Sequence, residues 1–345
     1  MAFRDIIGQD RALRILVGTL RRGRMPSSYL FAGESGIGKK LTAITLAKTL
    51  NCIAFDMSGS ASATIDCCDA CPSCKKIDAQ VHPDFRVIRP ESGLIRIEEI
   101  RAIEDILSFK AFEGKMKTVI VDEAETMNQF AANAFLKTLE EPPEHSLIVL
   151  VTSNPDRLPD TIRSRCSRIN FTPLPCAACE DVIRRSMDLK PAEKGRRHPG
   201  RAQHEISESH LKTLARLAMG KPGDALSEDL VDQRTMFISM LRDMIDMGKD
   251  RWASREDMEK WFDMMLILIR DVAVMKITRD AQQLINADRE EVIAGLGDGM
   301  ELKGIIELYQ RLITLKRQIY FNLNKSLTWN YTGSVVRQWI GELHA

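Results

Sequence analysis

Short apolar runs alternate with stretches of helical period through the first half of the chain, and helical period fills most of the second half. Between Gly8 and Arg22 the apolar residues Leu13, Leu16, Val17 and Leu20 recur at three- and four-residue intervals, which predicts a helix with a basic end at Arg21, Arg22 and Arg24. Tyr29-Leu30-Phe31-Ala32 is a continuous apolar run and reads as a buried strand, and Leu41 to Lys48 reads as a helix. Asp84 to Arg89 predicts a strand, Ile97 to Phe109 an amphipathic helix, and the run from Lys117 a buried strand that ends on Asp122 and Glu123. A helix over Met127 to Glu140 and strands over Ser146 to Thr152 and Arg168 to Phe171 complete this part. Strands alternating with helices in this way predict an α/β fold, with a parallel sheet covered by helices on both faces.

The pattern changes after Pro173 and Pro175. Cys176 and Cys179 read as ordinary residues at a helix start, and Lys190 to Gln203 has almost no apolar residues and reads as an exposed loop. Leu211 to Met219, Phe237 to Met247, Met258 to Val274, Ala281 to Asn286 and Leu302 to Asn322 then show helical spacing, whose Met and aromatic residues suit a packed core.

The segment between the first strand and its following helix is Gly33-Glu-Ser-Gly36-Ile-Gly38-Lys39-Lys40. Strand, glycine loop and helix together make the context of a phosphate-binding loop. The glycines let backbone N–H groups converge on an anion, the helix N-terminus adds positive character, and Lys39 stands where a cation reaches the outer phosphates. The residue after that lysine is expected to be Ser or Thr, whose hydroxyl ligates Mg²⁺. Here it is Lys40, which has no lone pair for a metal. Asp122 and Glu123, at the end of a predicted parallel strand, are the acidic pair that holds Mg²⁺ in such pockets, or alternatively the acidic start of a helix. Asn154, after the strand that ends at Thr152, is placed to orient water or to make a turn.

Composition narrows the classes. Hydrophobic content of 44% and charged content of 28% are those of an ordinary globular protein, and a net charge of +1 gives no general case for nucleic-acid binding. No apolar run approaches a membrane span and the N-terminus lacks a signal peptide's apolar core, so a cytoplasmic location is expected. In that compartment eight cysteines point to a metal site rather than to disulfides. Cys68, Cys71 and Cys74 are spaced by two residues, Cys52 lies upstream, and four thiolates suit a closed, structural Zn²⁺ site. Cys67 competes with Cys68 for one position, Cys68 being favoured because it continues the two-residue spacing, and the Ser/Ala-rich stretch from Asp56 to Asp66 reads as a flexible loop inside the module.

Several stretches together resemble one family. They are Ile7-Gly8-Gln9, the glycine loop, the cysteine knuckle, His82-Pro83-Asp84, Ala132 to Pro143 with its Leu-Lys-Thr-Leu-Glu-Glu-Pro-Pro run, Ser164-Arg165-Cys166, and Asn322-Leu323-Asn324. The chain resembles the AAA+ clamp-loader subunits of bacterial DNA polymerase III, and most of all their delta-prime branch. The resemblance implies a phosphate-loop domain over residues 1–172 with a zinc module at 52–76, a helical lid over 173–230 and a helical collar over 231–345. It implies a hetero-pentamer with gamma/tau and delta subunits that uses ATP to place a sliding clamp on primed DNA. Arg165 is then the arginine that acts in trans on a neighbour's ATP. The hydrolysing gamma/tau subunits carry Thr where this chain has Lys40, and an arginine in the lid where it has Gly223. Those two departures imply a pocket that is idle, or that binds ATP or ADP weakly without turnover. The alternatives are an active gamma/tau-like ATPase and a free-standing zinc-containing DNA-binding protein.

Overall fold

The computed structural model describes residues 1–55, 65–91, 93–188, 207–227, 229–319 and 324–341. The loop expected over Lys190 to Gln203, and the Ser/Ala-rich stretch as far as residue 64, lie outside them. The chain divides into two units, Met1–Leu189 with Gly220–Asp224, and Lys190–Met219 with Ala225–Ala345.

The first unit runs α1 (Asp10–Arg21), β1 (Ser28–Ala32), α2 (Lys39–Asn51), α3 (Pro72–Asp78), β2 (Phe85–Ile88), α4 (Ile97–Ser108), β3 (Lys117–Val121), α5 (Gln129–Glu140), β4 (Ser146–Thr152), α6 (Asp160–Arg163), β5 (Ser167–Asn170) and α7 (Cys176–Asp188). Its strands form one parallel sheet in the order β2-β3-β4-β1-β5, with Leu30 opposite Leu150 and Val121 also opposite Leu150. Every residue of β1, β3 and β4 is buried, as continuous apolar runs in a two-sided sheet require. Leu30, Val119, Val121, Ile148 and Leu150 share a core with Ile100 and Ile103 of α4 and Phe135 of α5. The alternate residues Tyr29, Phe31, Ile120 and Val149 are equally buried and face the other way by the two-residue period of a strand. Helix α2 packs on β3 and β4, and α1 on β5. The α/β class with a parallel sheet is therefore the one expected. Parallel order also brings the C-terminal ends of β1, β3 and β4 to one edge, where Gly33, Asp122 and Ser153 begin their loops.

Two buried polar side chains fix the loop that enters β3. The Asp84 carboxylate accepts backbone N–H groups from Phe112 at 2.7 Å, Glu113 at 2.8 Å and Gly114 at 2.7 Å. Burial opposes ionisation of Asp84, but these three donors hold its carboxyl below the usual range. The Asn51 amide oxygen accepts from Lys115 at 2.9 Å and Met116 at 3.0 Å. His82 Nδ1 accepts the Asp84 N–H at 3.1 Å, which leaves Nε2–H to donate to Ser73 Oγ at 3.2 Å. Burial pushes the His82 imidazole below its ordinary value, consistent with a neutral ring.

The second unit is helical: α8 (Glu208–Leu217), the end of α9 (Pro222–Ser227), α10 (Leu230–Ile245), α11 (Arg255–Thr278), α12 (Glu290–Asp298), α13 (Leu302–Gln318) and α14 (Lys325–Gly341). Its core gathers Trp252, Trp261, Phe262, Met265 and Trp329, with Trp252 edge-on to Trp329 at a centroid distance of 5.0 Å. One expected helix fails. Ala281 to Asn286 forms only a 3₁₀ turn over Ala281–Gln283. The cause is Asp271 of α11, whose fully buried carboxylate takes the N–H groups of Ile285 at 3.0 Å and Asn286 at 2.8 Å. Those donors are thereby withdrawn from any helical ladder.

Candidate nucleotide pocket and cysteine cluster

The glycine loop leaves β1 with the Gly33 N–H bonded to the Thr152 carbonyl at 3.3 Å. It enters α2 through Gly38, at φ +95°, a left-handed conformation that favours glycine. Helix α2 then begins with Lys39 and Lys40 and has no acidic residue in its first turn. Lys39 is buried, and its ammonium donates to the carbonyls of Gly33 at 2.6 Å and Glu34 at 2.5 Å. Burial pushes it below its ordinary value, against the pull of Glu125, Asp122, Glu34 and Asp224.

Lys40 Nζ donates to Asp122 Oδ2 at 2.6 Å. The carboxylate that would serve Mg²⁺ is thus paired with an ammonium of its own chain, and no hydroxyl follows Lys39. These residues do not fit a magnesium ion. Glu123 turns the chain at φ +51° and is exposed, leading into a 3₁₀ turn over Ala124–Thr126. Asn154 is exposed and opens the turn Pro155–Arg157 without capping it by its side chain. Glu125 is an acidic neighbour that spacing did not single out. Its carboxylate accepts the Ser153 N–H at 3.0 Å and the Ser153 hydroxyl. Burial raises the Glu125 carboxyl, and hydrogen bonds from Ser153, its own backbone N–H and Thr152 together outweigh this, leaving it below the usual range.

Gly223, expected where the family carries a lid arginine, lies against the loop. Its N–H bonds to the Gly36 carbonyl at 2.8 Å, and a Cβ there would come within 2.8 Å of Gly36 Cα and O. Glycine permits this backbone contact, which a side chain would block.

Arg165 lies between α6 and β5. Its Nε donates to Glu140 Oε1 at 2.8 Å and its Nη1 to the Thr161 carbonyl at 2.9 Å. Among the described residues it hydrogen-bonds no member of the glycine loop. The pair is partly exposed, with side chains 33% and 50% accessible, so the guanidinium is open to a ligand from outside the chain.

Cys52, Cys68, Cys71 and Cys74 present sulfurs within 4.8 Å of one another. A tetrahedral site with Zn–S near 2.3 Å needs sulfurs roughly 3.8 Å apart, so a small contraction suffices. Backbone N–H groups already aim at these sulfurs: Cys68 to Cys52 at 3.4 Å, Cys71 to Cys68 at 3.3 Å and Cys74 to Cys71 at 3.5 Å. The N–H groups of Ala70 and Cys71 draw the Cys68 thiol down to about 6. Cys67 turns away towards Met1 O and Asp69, and burial pushes its thiol up to about 12. Lys48 of α2 is buried beneath the module. Its ammonium donates to Asp78 at 2.7 and 2.9 Å and pairs with Asp69. Asp66 accepts the N–H groups of Phe3 at 2.8 Å and Arg4 at 3.1 Å. The module is thereby joined both to the helix behind the glycine loop and to the start of the chain.

Comparison with known proteins bears on this arrangement as a whole. The family "DNA polymerase III, delta subunit" matches residues 8–175, and "DNA polymerase III, delta subunit, C terminal" matches residues 251–331. The chain is 27% identical to the delta-prime subunit of Bacillus subtilis, over 92% of both chains, and 29% identical to that of Pseudomonas aeruginosa, over 94% of both. It belongs to the delta-prime family of DNA polymerase III subunits. A match to the tau subunit of Escherichia coli has higher identity, 35%, but covers 67% of this chain and only 32% of that protein. The two delta-prime relatives are thus matched over more than nine tenths of their length, and this tau subunit across about a third of its own. Sequence spacing singles out the loop lysines, Asp122 and the cysteines. It does not single out Glu125, the Glu140 partner of Arg165 or the Asn51 lock, and it gives Asp84 only as part of a family stretch, because each acts through a contact between residues far apart in the chain.

Proposed function

We propose that the chain serves as the ATP-silent, delta-prime-like subunit of the DNA polymerase III clamp loader and lends Arg165 to the ATP site of a neighbouring gamma/tau subunit. The observation that carries this is the Lys40–Asp122 pair at 2.6 Å, which leaves the chain's own loop without a metal site. A guanidinium open to solvent fits the complementary role, because its fork can pair two phosphate oxygens as charge develops in phosphoryl transfer. The partners are gamma/tau and delta subunits in a hetero-pentamer that acts in the cytoplasm on a sliding clamp and primed DNA. Residues 173–230 serve as the helical lid, and the collar over 231–345 packs against the equivalent domains of the partners. Cys52, Cys68, Cys71 and Cys74 hold one Zn²⁺, which closes the module and does no chemistry on a substrate.

The test is ATP hydrolysis by the complex reconstituted with gamma/tau, delta, clamp and primed DNA. Arg165→Ala and Arg165→Lys should each depress it strongly, while the chain alone hydrolyses nothing. A loss below about twofold would remove the trans role, since such arginines commonly contribute a thousandfold or more at their own site.

A further inference from the structure

The pocket carries two ammonium groups where a hydrolysing pocket has one lysine and a divalent ion. Lys39 and Lys40 are the first two residues of a 13-residue helix with no acid in its first turn, so both charges add to the positive end of the helix dipole. The two are treated differently. Lys40 Nζ has a carboxylate oxygen of Asp122 at 2.6 Å. Lys39, although buried, has its hydrogen bonds to neutral carbonyls, those of Gly33 and Glu34. Lys40 is hydrogen-bonded to a carboxylate, whereas Lys39 hydrogen-bonds to none, although Glu125, Asp122, Glu34 and Asp224 lie near enough to favour its charge.

We propose that Lys40 is a tethered stand-in for the divalent ion, so that this loop takes a nucleoside di- or triphosphate without metal. The inference rests on the silent-pocket reading above and adds to it the ligand class and the independence from magnesium. A divalent ion in such a site bridges phosphate oxygens and is held by the strand-end carboxylate and a hydroxyl. Here the carboxylate is taken and the hydroxyl is absent. The Lys40 ammonium has three donors, of which one goes to Asp122, so two can meet phosphate oxygens. It supplies one positive charge in place of two and offers no bound water. A nucleotide is held and no bond is broken.

The experiment is equilibrium binding of fluorescent ADP and ATP analogues to the full chain, once with magnesium and once with EDTA. The wild type should bind equally in both, within about twofold, and Lys39→Ala should bind in neither. Lys40→Thr frees Asp122 and restores a hydroxyl, so its affinity should rise about tenfold or more when magnesium is added. Lys40→Arg keeps the charge and should stay indifferent to the metal, which serves if the threonine protein does not fold. Wild-type binding that needs magnesium, no binding at millimolar nucleotide, or a folded Lys40→Thr protein indifferent to magnesium would each overturn the proposal. Hydrolysis by the wild-type chain alone would overturn the silent-pocket reading and this inference with it. A magnesium requirement without hydrolysis overturns this inference alone.

Discussion

Replacing Asp84 by Asn tests how the chain is delivered into β3. The carboxylate holds Phe112 N–H on one oxygen and the N–H groups of Glu113 and Gly114 on the other. An asparagine can keep its oxygen towards Glu113 and Gly114, but its NH₂ then confronts the Phe112 N–H, donor against donor. Two bonds lose an ionic partner, about 1 kcal/mol each, and the third is lost outright at about 1–2 kcal/mol, giving roughly 3 kcal/mol. Local opening of the loop should become about a hundredfold more frequent. Hydrogen exchange of a peptide spanning Phe109 to Thr118 reads this directly. The sign with pH follows from the lowered carboxyl. The stabilisation is complete above the unfolded carboxylate value near 4 and is lost as pH falls through the folded one, so wild type and variant should converge in acid. Protection in the Asp84→Asn protein within about threefold of wild type at neutral pH would refute the reasoning.

Two further perturbations separate structural claims. Purified protein should contain close to one zinc per chain, lost with reduced stability in Cys71→Ser and kept in Cys67→Ser; equal zinc loss in both would return Cys67 to the ligand set. Gly223→Ala must push the lid segment off Gly36, and should lower the thermal midpoint by several degrees for a cost of about 1–3 kcal/mol, so an unchanged midpoint would show that the contact yields freely.

The central strands β1, β3 and β4 were legible because they are buried on both faces. Ser146 to Thr152 is read and observed with the same ends, since buried parallel strands show as unbroken apolar runs. Ala281 to Asn286 misled for the opposite reason: its spacing is helical, but a single buried carboxylate ten residues earlier outweighs spacing. The same limit applies to the site. The sequence names Lys40 and Asp122 but not that they meet, because they stand 82 residues apart and only the β3–β4–β1 order brings them together. With that contact known, Asp122 has a partner within its own chain, as the counter-charge of Lys40. Spacing favours Cys68 over Cys67, and the Cys67 sulfur points to Asp69 rather than into the cluster.

The clasp between Arg165 and Glu140 has a bearing on timing. A guanidinium paired with a carboxylate at the surface is held only weakly, by about 0–1 kcal/mol, and yields to a stronger rival. Within the proposed assembly, an empty or spent site next door offers a weaker rival than a full triphosphate. The resting clasp would therefore work as a threshold, releasing its arm when the neighbour is loaded and taking it back after cleavage.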